Sequence, residues 1–586
     1  MPRVARAYGL NLEKRLKHKT IIMLETLKRY WGYDGFRPMQ EEIISSVLSG
    51  RDTLAILPTG GGKSICFQVP SLMREGICIV VSPLIALMKD QVLNLRARGI
   101  KALAIYSGMS RNDIDITLDN AIYGDYKFLY VSPERLKTTL FKARVAKMNV
   151  NFLVVDEAHC ISQWGYDFRP DYLDIVKIRE ILPKGTPCIA LTATATPEVA
   201  KDIMTQLGFE SENLIRSGFE RPNLSYIVRE AEDKLGQVLK VCNTPGSGIV
   251  YVSKRKSAED IAKFLRSQSI NAEAYHAGMS AQARSLIQQR WKSGETRIIV
   301  STNAFGMGID KGDVRFVCHY DMPDSLEAYF QEAGRAGRDG QKAYAVLVWN
   351  ANDVRRLKQI SKVTFPPLDY MRDVYQKVFQ YLDIAYEEGA GQSRKFDVED
   401  FAKQYRLNAA TAYYAIKYIE QSGYWSLSDE LEIPSKLRFA IARDALYKVQ
   451  LKDAEMDTFL KVIMRMYTGI FNGYVSIDEE RIARLGHYAV DVVKEKLKAL
   501  ARMQVVNYVP RFTATLLNLN GERLTEDNLR LPQGEYDERV ARRDRRLNAM
   551  IDLVEDDSQC RVTRMLHYFG QEDAAPCGSC DVCRRK

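Results

Sequence analysis

The chain has 586 residues, 46% of them hydrophobic and 27% charged, with a formal net charge of +10 and a pI near 8.9. That length suggests about three to five domains, each able to bury a core. No apolar run approaches the roughly 18 residues of a membrane span and no signal-peptide core is seen at the N-terminus, so the protein is expected to stay in the compartment where it is made; the basic balance permits a polyanionic partner without demonstrating one.

Residues 1–19 form a basic lead containing Arg3, Arg6, Lys14, Arg15, Lys17 and Lys19. We read it as a solvated leading helix in preference to an organelle transit peptide. From about residue 20 to 212, short apolar runs end in small polar residues and give way to helical patterns: TLAIL then PTGGGKS, ICIVV then SPL, FLYV then SPERL, FLVV then DEAHC, and CIAL then TATAT. This is βα repetition, which implies a parallel sheet with functional loops at the carboxyl ends of its strands. The rhythm returns over residues 213–351 in GIVYVS, RIIVSTNAF, RFVCHYD and AYAVLVW, so a second doubly wound lobe is expected, with a ligand cleft between the two.

The first strand runs into a phosphate loop. Thr59, Gly60, Gly61, Gly62, Lys63 and Ser64 form a glycine-rich turn whose backbone N–H groups can cradle an anion. Lys63 would reach the β- and γ-phosphates and Ser64 would hold Mg²⁺. One position departs from the strict pattern, Leu57 standing where glycine is usual. FLVV delivers Asp156 and Glu157 to another strand end. Asp156 is the candidate Mg²⁺ carboxylate and Glu157 the candidate base for an attacking water. Phosphoryl transfer also needs positive charge beyond the γ-phosphate, and QEAGRAGRDG supplies it from the second lobe: Gln331, Arg335 and Arg338 complete the catalytic set.

TGGGKS, DEAH, LTATAT, STNAFGMGID and YFQEAGRAGRDG, in this order over two lobes, resemble a superfamily 2 helicase, and in detail the RecQ family of DNA helicases. The upstream stretch GYDGFRPMQEEII matches that family's nucleotide-binding region. The resemblance implies that Tyr33 stacks on adenine while Arg37 and Gln40 help to read and hold it.

A nucleic-acid track follows. CISQWGYDFRPDY interleaves Trp164, Tyr166, Phe168 and Tyr172 with Arg169 in no helix or strand period, and aromatics so placed can stack on unpaired bases. It resembles the aromatic-rich loop of RecQ helicases, implying that Trp164, Phe168 and Arg169 couple single-stranded DNA to hydrolysis; an aromatic patch under the cleft is the alternative. Ser82 in VVSPL, Ser132 in YVSPERL, and Thr302 and Asn303 in STNAF are expected to meet phosphates, with Thr192 to Thr194 and Asp310 linking these grips to the ATP site.

Residues 352–440 and 441–535 read as two successive winged-helix-like segments, each with paired helical patterns and a β-like tail. Either could bind DNA or mediate protein contacts; Tyr424 and Trp425 fit core packing better than a strand-separating tip. Residues 536–586 hold Cys560, Cys577, Cys580 and Cys583, a spacing suited to structural tetrahedral Zn²⁺, and resemble the RecQ zinc subdomain. The other six cysteines sit in apolar runs as buried thiols. Arg542, Arg543, Arg545 and Arg546 read as a solvated helix face, with phosphate contact as the alternative. The family's usual order places the zinc subdomain directly after lobe 2, whereas here the two winged-helix-like segments intervene.

The expected fold class is α/β: two RecA-like doubly wound parallel-sheet lobes, then helical winged-helix-like segments and a small helical zinc-binding subdomain. The resemblance implies an ATP-dependent 3′–5′ DNA helicase using ATP, Mg²⁺ and Zn²⁺ on single-stranded and forked or tailed DNA in repair or recombination. It is expected to be monomeric and without a membrane, cytoplasmic at the nucleoid in a bacterium and nuclear in a eukaryote. Two rivals are a superfamily 2 RNA helicase or duplex translocase, and a non-enzymatic winged-helix DNA-binding protein with a vestigial motor.

Overall fold

The computed structural model describes residues 20–585 except 59, 107–108, 163–168, 307–310, 428–430, 434, 442–445, 447–453, 511 and 515. The chain forms two compact units. One comprises residues up to Lys358 together with Ala541 onward, the other Gln359–Val540.

In the first unit, lobe 1 is a seven-stranded parallel sheet of β1 (Thr53–Ile56), β2 (Ile77–Val81), β3 (Ala102–Ile105), β4 (Phe128–Val131), β5 (Val150–Val155), β6 (Cys188–Thr192) and β7 (Leu214–Arg216). Their spatial order is β3-β4-β2-β5-β6-β1-β7. β1, β2, β4, β5 and β6 are buried at every position, which explains their unbroken apolar runs: helices cover both faces, so no position alternates toward water. β7 pairs with β1, so lobe 1 reaches at least to Arg216, beyond the divide at 212 and 213 that the sequence suggested. A strand of three residues carries too little pattern to be assigned to a sheet from its own composition.

Lobe 2 is a six-stranded parallel sheet of β8 (Leu224–Glu230), β9 (Ser247–Tyr251), β10 (Ala272–Tyr275), β11 (Ile298–Ser301), β12 (Val314–His319) and β13 (Ala343–Trp349), in the order β10-β11-β9-β12-β13-β8. One apolar cluster runs continuously through lobe 1, lobe 2 and the four-cysteine region. At its heart the rings of Phe219, Phe330 and Phe569 meet at 5.1–5.8 Å, joining the interlobe linker, the lobe 2 helix Leu326–Ala333 and the four-cysteine region. Arg543 donates to the Asp324 carbonyl at 3.2 Å and Arg546 lies 3.4 Å from the Glu327 carboxylate. These two arginines therefore dock a helix on lobe 2, a role the sequence reading of a solvated face did not include. All six cysteines outside the terminal cluster are buried.

The second unit contains β14 (Ser393–Lys395), β15 (Trp425–Leu427), β16 (Leu431–Ile433), β17 (Ser435–Phe439), β18 (Val475–Ile477), β19 (Val506–Val509), β20 (Phe512–Ala514) and β21 (Leu516–Leu519). Two winged-helix-like sets are recognisable, but nested. β15 pairs with β21, β16 with β20 and β17 with β19, all antiparallel and in almost unbroken register. The second set is thus inserted at the far end of the first set's wing, and residues 516–519 return to the first set's sheet beside β14. The expectation of two successive segments divided at 440 and 441 gives way to this arrangement, because long-range strand pairing leaves no local signal. Each set opens its first paired helix with the same local device: Asp397 caps the N–H groups of Glu399 and Asp400, and Asp478 caps those of Glu480 and Arg481.

Trp425 is 1% exposed, stacks on Tyr375 at 5.5 Å and 11°, and donates its indole N–H to the Ile416 carbonyl at 3.1 Å. Tyr424 hydrogen-bonds the Arg530 carbonyl at 2.8 Å. Both pack. Trp425→Ala is expected to destabilise this unit by about 3–5 kcal/mol, read as a shifted denaturant midpoint.

Candidate functional site

β1 is buried throughout and delivers the chain to a loop that needs left-handed backbone: Gly60 and Gly62 have φ of +83° and +76°. A helix, Ile65–Leu72, starts directly behind it. The upstream segment props this loop. Gln40 Nε2 donates to the carbonyls of Gly61 at 3.2 Å and Gly62 at 3.0 Å, Arg37 donates to the Gly60 carbonyl, and the Arg37 N–H donates to Gln40 Oε1 at 2.8 Å. A Cβ at Gly62 would lie 2.4 Å from Gln40 Nε2, so a side chain there would strain φ and push the Gln40 amide off the loop carbonyls. Arg37 and Gln40 therefore fix the loop through three of its carbonyls, and both line the cleft, where Tyr33 stands 53% exposed on the wall.

The register of β1 with β6 and of β6 with β5 places Asp156 and Glu157 two strands from the loop, at the same sheet edge. Glu157 adopts a left-handed conformation, φ 48° and ψ 49°, which turns its carboxylate back toward Lys63, whose Nζ lies 3.8 Å from Glu157 Oε1. His159 Nδ1 sits 3.5 Å from Glu157 Oε2 and 2.9 Å from Thr192 Oγ1, linking DEAH to the TAT stretch. Burial and the neighbouring Glu157 push the Asp156 carboxyl up to about 6, against the pull of Lys63. A divalent cation would restore its charge.

Lobe 2 closes the far wall of a cleft of about 1000 Å³ lined by Lys63, Ser64, Asp156 and Glu157 on one side and Gln331, Arg335 and Arg338 on the other. Arg338 Cγ lies 3.2 Å from where a Gly60 Cβ would be, so the two walls touch. Thr59 lies outside the described residues. Arg221 and Asn223, in the linker between lobes, are residues sequence reasoning missed. Arg221 Nη2 donates to the carbonyls of Ala336 and Gly337, each at 2.9 Å, and Nη1 to that of Gly334 at 3.3 Å; Asn223 donates to Gly337 at 2.7 Å. They hold the backbone turn from which Arg335 and Arg338 project. The only sequence signal was a polar ERPN breaking the linker ahead of β8.

The DNA candidates divide. Asn303 is exposed, Thr302 is 8% exposed with its hydroxyl accepting from the Ala304 N–H at 3.4 Å, and Arg169 closes the base of the aromatic loop through its N–H to the Cys160 carbonyl at 2.8 Å. Ser82 and Ser132 are corrected: they are 1% and 0% exposed, and Ser82 Oγ points to Asp156 Oδ2 at 3.4 Å. Both follow strands that helices cover on both faces, and that cover extends over the two serines, leaving neither hydroxyl for a phosphate. Trp164, Phe168 and Asp310 lie outside the described residues.

The thiols of Cys560, Cys577, Cys580 and Cys583 lie within 4.8 Å of one another, with Cys560 Sγ 3.5 Å from Cys577 Sγ and 3.8 Å from Cys580 Sγ. No disulfide links them, and a tetrahedron with metal–sulfur bonds of about 2.3 Å has edges of about 3.8 Å. Backbone N–H groups of Cys577, Cys580 and Cys583 point at the preceding sulfurs at 3.3–3.4 Å and would stabilise thiolates. The donor set fits Zn²⁺.

Comparison with known proteins agrees with this geometry. Family models match in chain order: DEAD/DEAH box helicase at residues 37–203, helicase conserved C-terminal domain at 231–340, RecQ helicase winged-helix domain, Bacteroidota, at 437–510, and RecQ zinc-binding at 521–584. The chain is 41% identical over 356 residues to the probable ATP-dependent DNA helicase RecS of Bacillus subtilis, covering 60% of this chain and 71% of that protein. The chain belongs to the RecQ family. It is also 45% identical over 332 residues to the ATP-dependent DNA helicase RecQ of the same organism, and 42% over 339 residues to that of Pasteurella multocida, covering 56% and 58% of this chain. The match spans about half the length of those two RecQ proteins, 56% and 54%. The matched winged-helix region coincides with the inner, inserted set.

Arg221→Ala should lower kcat for ATP hydrolysis about 10- to 100-fold with little change in KM, since three carbonyls lose a charged donor while the phosphate loop is untouched; steady-state kinetics decides it. Chelating the metal should lower the melting temperature, with one zinc per chain released on mass analysis; a melt insensitive to chelator and no bound metal would contradict the site.

Proposed function

We propose that the chain is an ATP-dependent DNA helicase of RecQ type that couples hydrolysis to 3′-to-5′ translocation on single-stranded DNA and unwinds forked or tailed duplexes, as repair or recombination requires. The observation that carries this reading is the two-walled cleft, with Lys63, Asp156 and Glu157 facing Gln331, Arg335 and Arg338. A wall from each lobe means that bound nucleotide bridges them, so the lobes close on ATP and relax after hydrolysis.

In this mechanism Lys63 neutralises the β- and γ-phosphates, and the N–H groups of the loop hold them. Glu157, held near Lys63 and His159, orients the attacking water and takes its proton. Arg335 and Arg338 stabilise charge developing on the transferred phosphoryl group, and Tyr33 offers its ring to the base. Ser64 and Asp156 are hard oxygen donors beside the loop and fit Mg²⁺, which when bound would offset phosphate charge. The DNA strand would run past Asn303 and the aromatic loop based at Arg169, with Trp164 and Phe168 stacking on bases. The polarity is carried by the family resemblance alone. The four thiolates serve structure, since a closed four-sulfur shell leaves no position for a catalytic water. The protein is read as monomeric, and as cytoplasmic at the nucleoid if its source is bacterial.

The deciding experiment compares duplexes with 3′ tails, 5′ tails and blunt ends, with and without ATP. Unwinding should require ATP and a 3′ tail; preference for a 5′ tail, or stronger ATPase stimulation by RNA or blunt duplex than by single-stranded DNA, would overturn the reading. In the same assay Glu157→Gln should bind ATP yet lose about 10²- to 10⁴-fold in turnover.

A further inference from the structure

The carboxyl ends of β9, β11 and β12 lie side by side, and their parallel register sets Tyr251 level with Ser301 on one strand and His319 on the other. Tyr251 is 3% exposed, and its hydroxyl donates to the Phe305 carbonyl at 2.7 Å. The positive charge of the Arg335 guanidinium faces the same oxygen. A hydroxyl has one proton to give and lone pairs to accept with, so both links can be made at once. Phe305 belongs to the segment that carries Thr302 and Asn303, and Arg335 lines the nucleotide cleft. The segment and the arginine are also close directly: a Cβ at Gly306 would stand 3.9 Å from Arg335 Nη2.

The surroundings hold this junction still. His319 stacks on the Tyr251 ring at 5.3 Å and 21°, and its Nε2 lies 2.8 Å from Glu332 Oε2, three residues before Arg335. The Phe305 ring is fully buried against Tyr275 at 4.8 Å and Trp291 at 5.1 Å, so its carbonyl does not swing without moving the segment. One buried oxygen therefore joins a loop on the nucleic-acid side to an arginine on the nucleotide side, through groups that have no room to move separately.

We propose that Tyr251 is a positioning residue that couples strand contact at residues 302–306 to the placement of Arg335 in the nucleotide cleft. The proposal rests on the DNA-motor reading above. Displacement of the segment by a bound strand shifts the Phe305 carbonyl, the hydroxyl follows it, and the guanidinium takes a new position relative to the γ-phosphate. Neither link touches substrate, so Tyr251 acts only through its partners.

Tyr251→Phe in the full chain keeps the ring on His319 and removes both links. The ATPase rate is measured without DNA and with saturating oligothymidylate, together with the KM for ATP. The expected result is a DNA-free rate and KM within about twofold to threefold of the parent and a fold-stimulation by DNA reduced about tenfold, the size of a lost buried hydrogen-bond coupling. Stimulation is a ratio on one preparation, so a smaller folded fraction leaves it unaltered and a merely structural role would not move it. Undiminished stimulation in Tyr251→Phe, with the parent stimulated, overturns the coupling alone. A parent enzyme whose ATPase ignores single-stranded DNA overturns the DNA-motor reading and this proposal with it.

Discussion

The parallel ladders that join β1 to β6 and β6 to β5 are the constraint on which the chemistry depends. Parallel pairing puts every carboxyl end at one edge of the sheet, and the register of Ile56 with Thr192 and of Val155 with Ala190 brings three loops to one level. Lys63 and Thr192 come from segments far apart in the chain yet both meet the Glu157–His159 pair, Lys63 within ion-pair range of Glu157 and Thr192 within hydrogen-bonding range of His159. The strands themselves are almost wholly apolar and buried on both faces, so the polar groups are confined to their ends. A charged cluster assembled in this way sits on rigid elements, and its desolvation is visible in the raised Asp156 carboxyl.

The second wall depends on different physics. Arg335 and Arg338 project from a turn whose backbone carbonyls are held by Arg221 and Asn223, and whose preceding helix is pinned from outside by Phe569, Tyr568 and Arg546. Tyr568 donates to the Glu327 carboxylate at 2.8 Å, and Arg216 of lobe 1 donates to the Phe569 carbonyl at 2.8 Å. The four-cysteine region thus touches lobe 1, the linker and lobe 2 together. Zinc held by the four thiols would close a short loop of chain next to the helix that carries these contacts. That all of these contacts lie within one compact unit, although residues 359–540 intervene in the chain, explains how the family's zinc subdomain can keep its place beside lobe 2 despite a long insertion.

Legibility in the sequence followed the range of the signal. The phosphate loop, the carboxylate pair, the arginine turn and the CxxCxxC run were each readable because a few adjacent residues carry the chemistry. The two lobes were readable because apolar strands alternate with helical patterns. What failed were inferences about which way a side chain faces and which distant segment it meets. Ser82 and Ser132 follow strands in the way exposed phosphate ligands do, yet both are buried. Arg37 and Gln40, assigned to the nucleotide, line the cleft as that role needs, but their hydrogen bonds to the loop carbonyls were not foreseen. Arg543 and Arg546 looked like a solvated charge run and instead dock a helix. The nested wing was invisible because antiparallel partners such as Trp425 and Leu519 are separated by an entire inserted set.

The sequence by itself determined the reactive groups and their local geometry: glycines where φ must be positive, a lysine and serine at a helix start, two acids at a strand end, four thiols at metal spacing. These are consequences of backbone sterics and of covalent spacing, and both act within a few residues. Only the tertiary structure decided which groups face one another. Arg338 lies against Gly60, Arg221 beneath the arginine turn, Tyr251 between Phe305 and Arg335, and the inner winged-helix set at the end of the outer set's wing. Those pairings arise from strand register and from burial of a shared core, quantities that belong to the whole unit and leave no mark on any short stretch of chain.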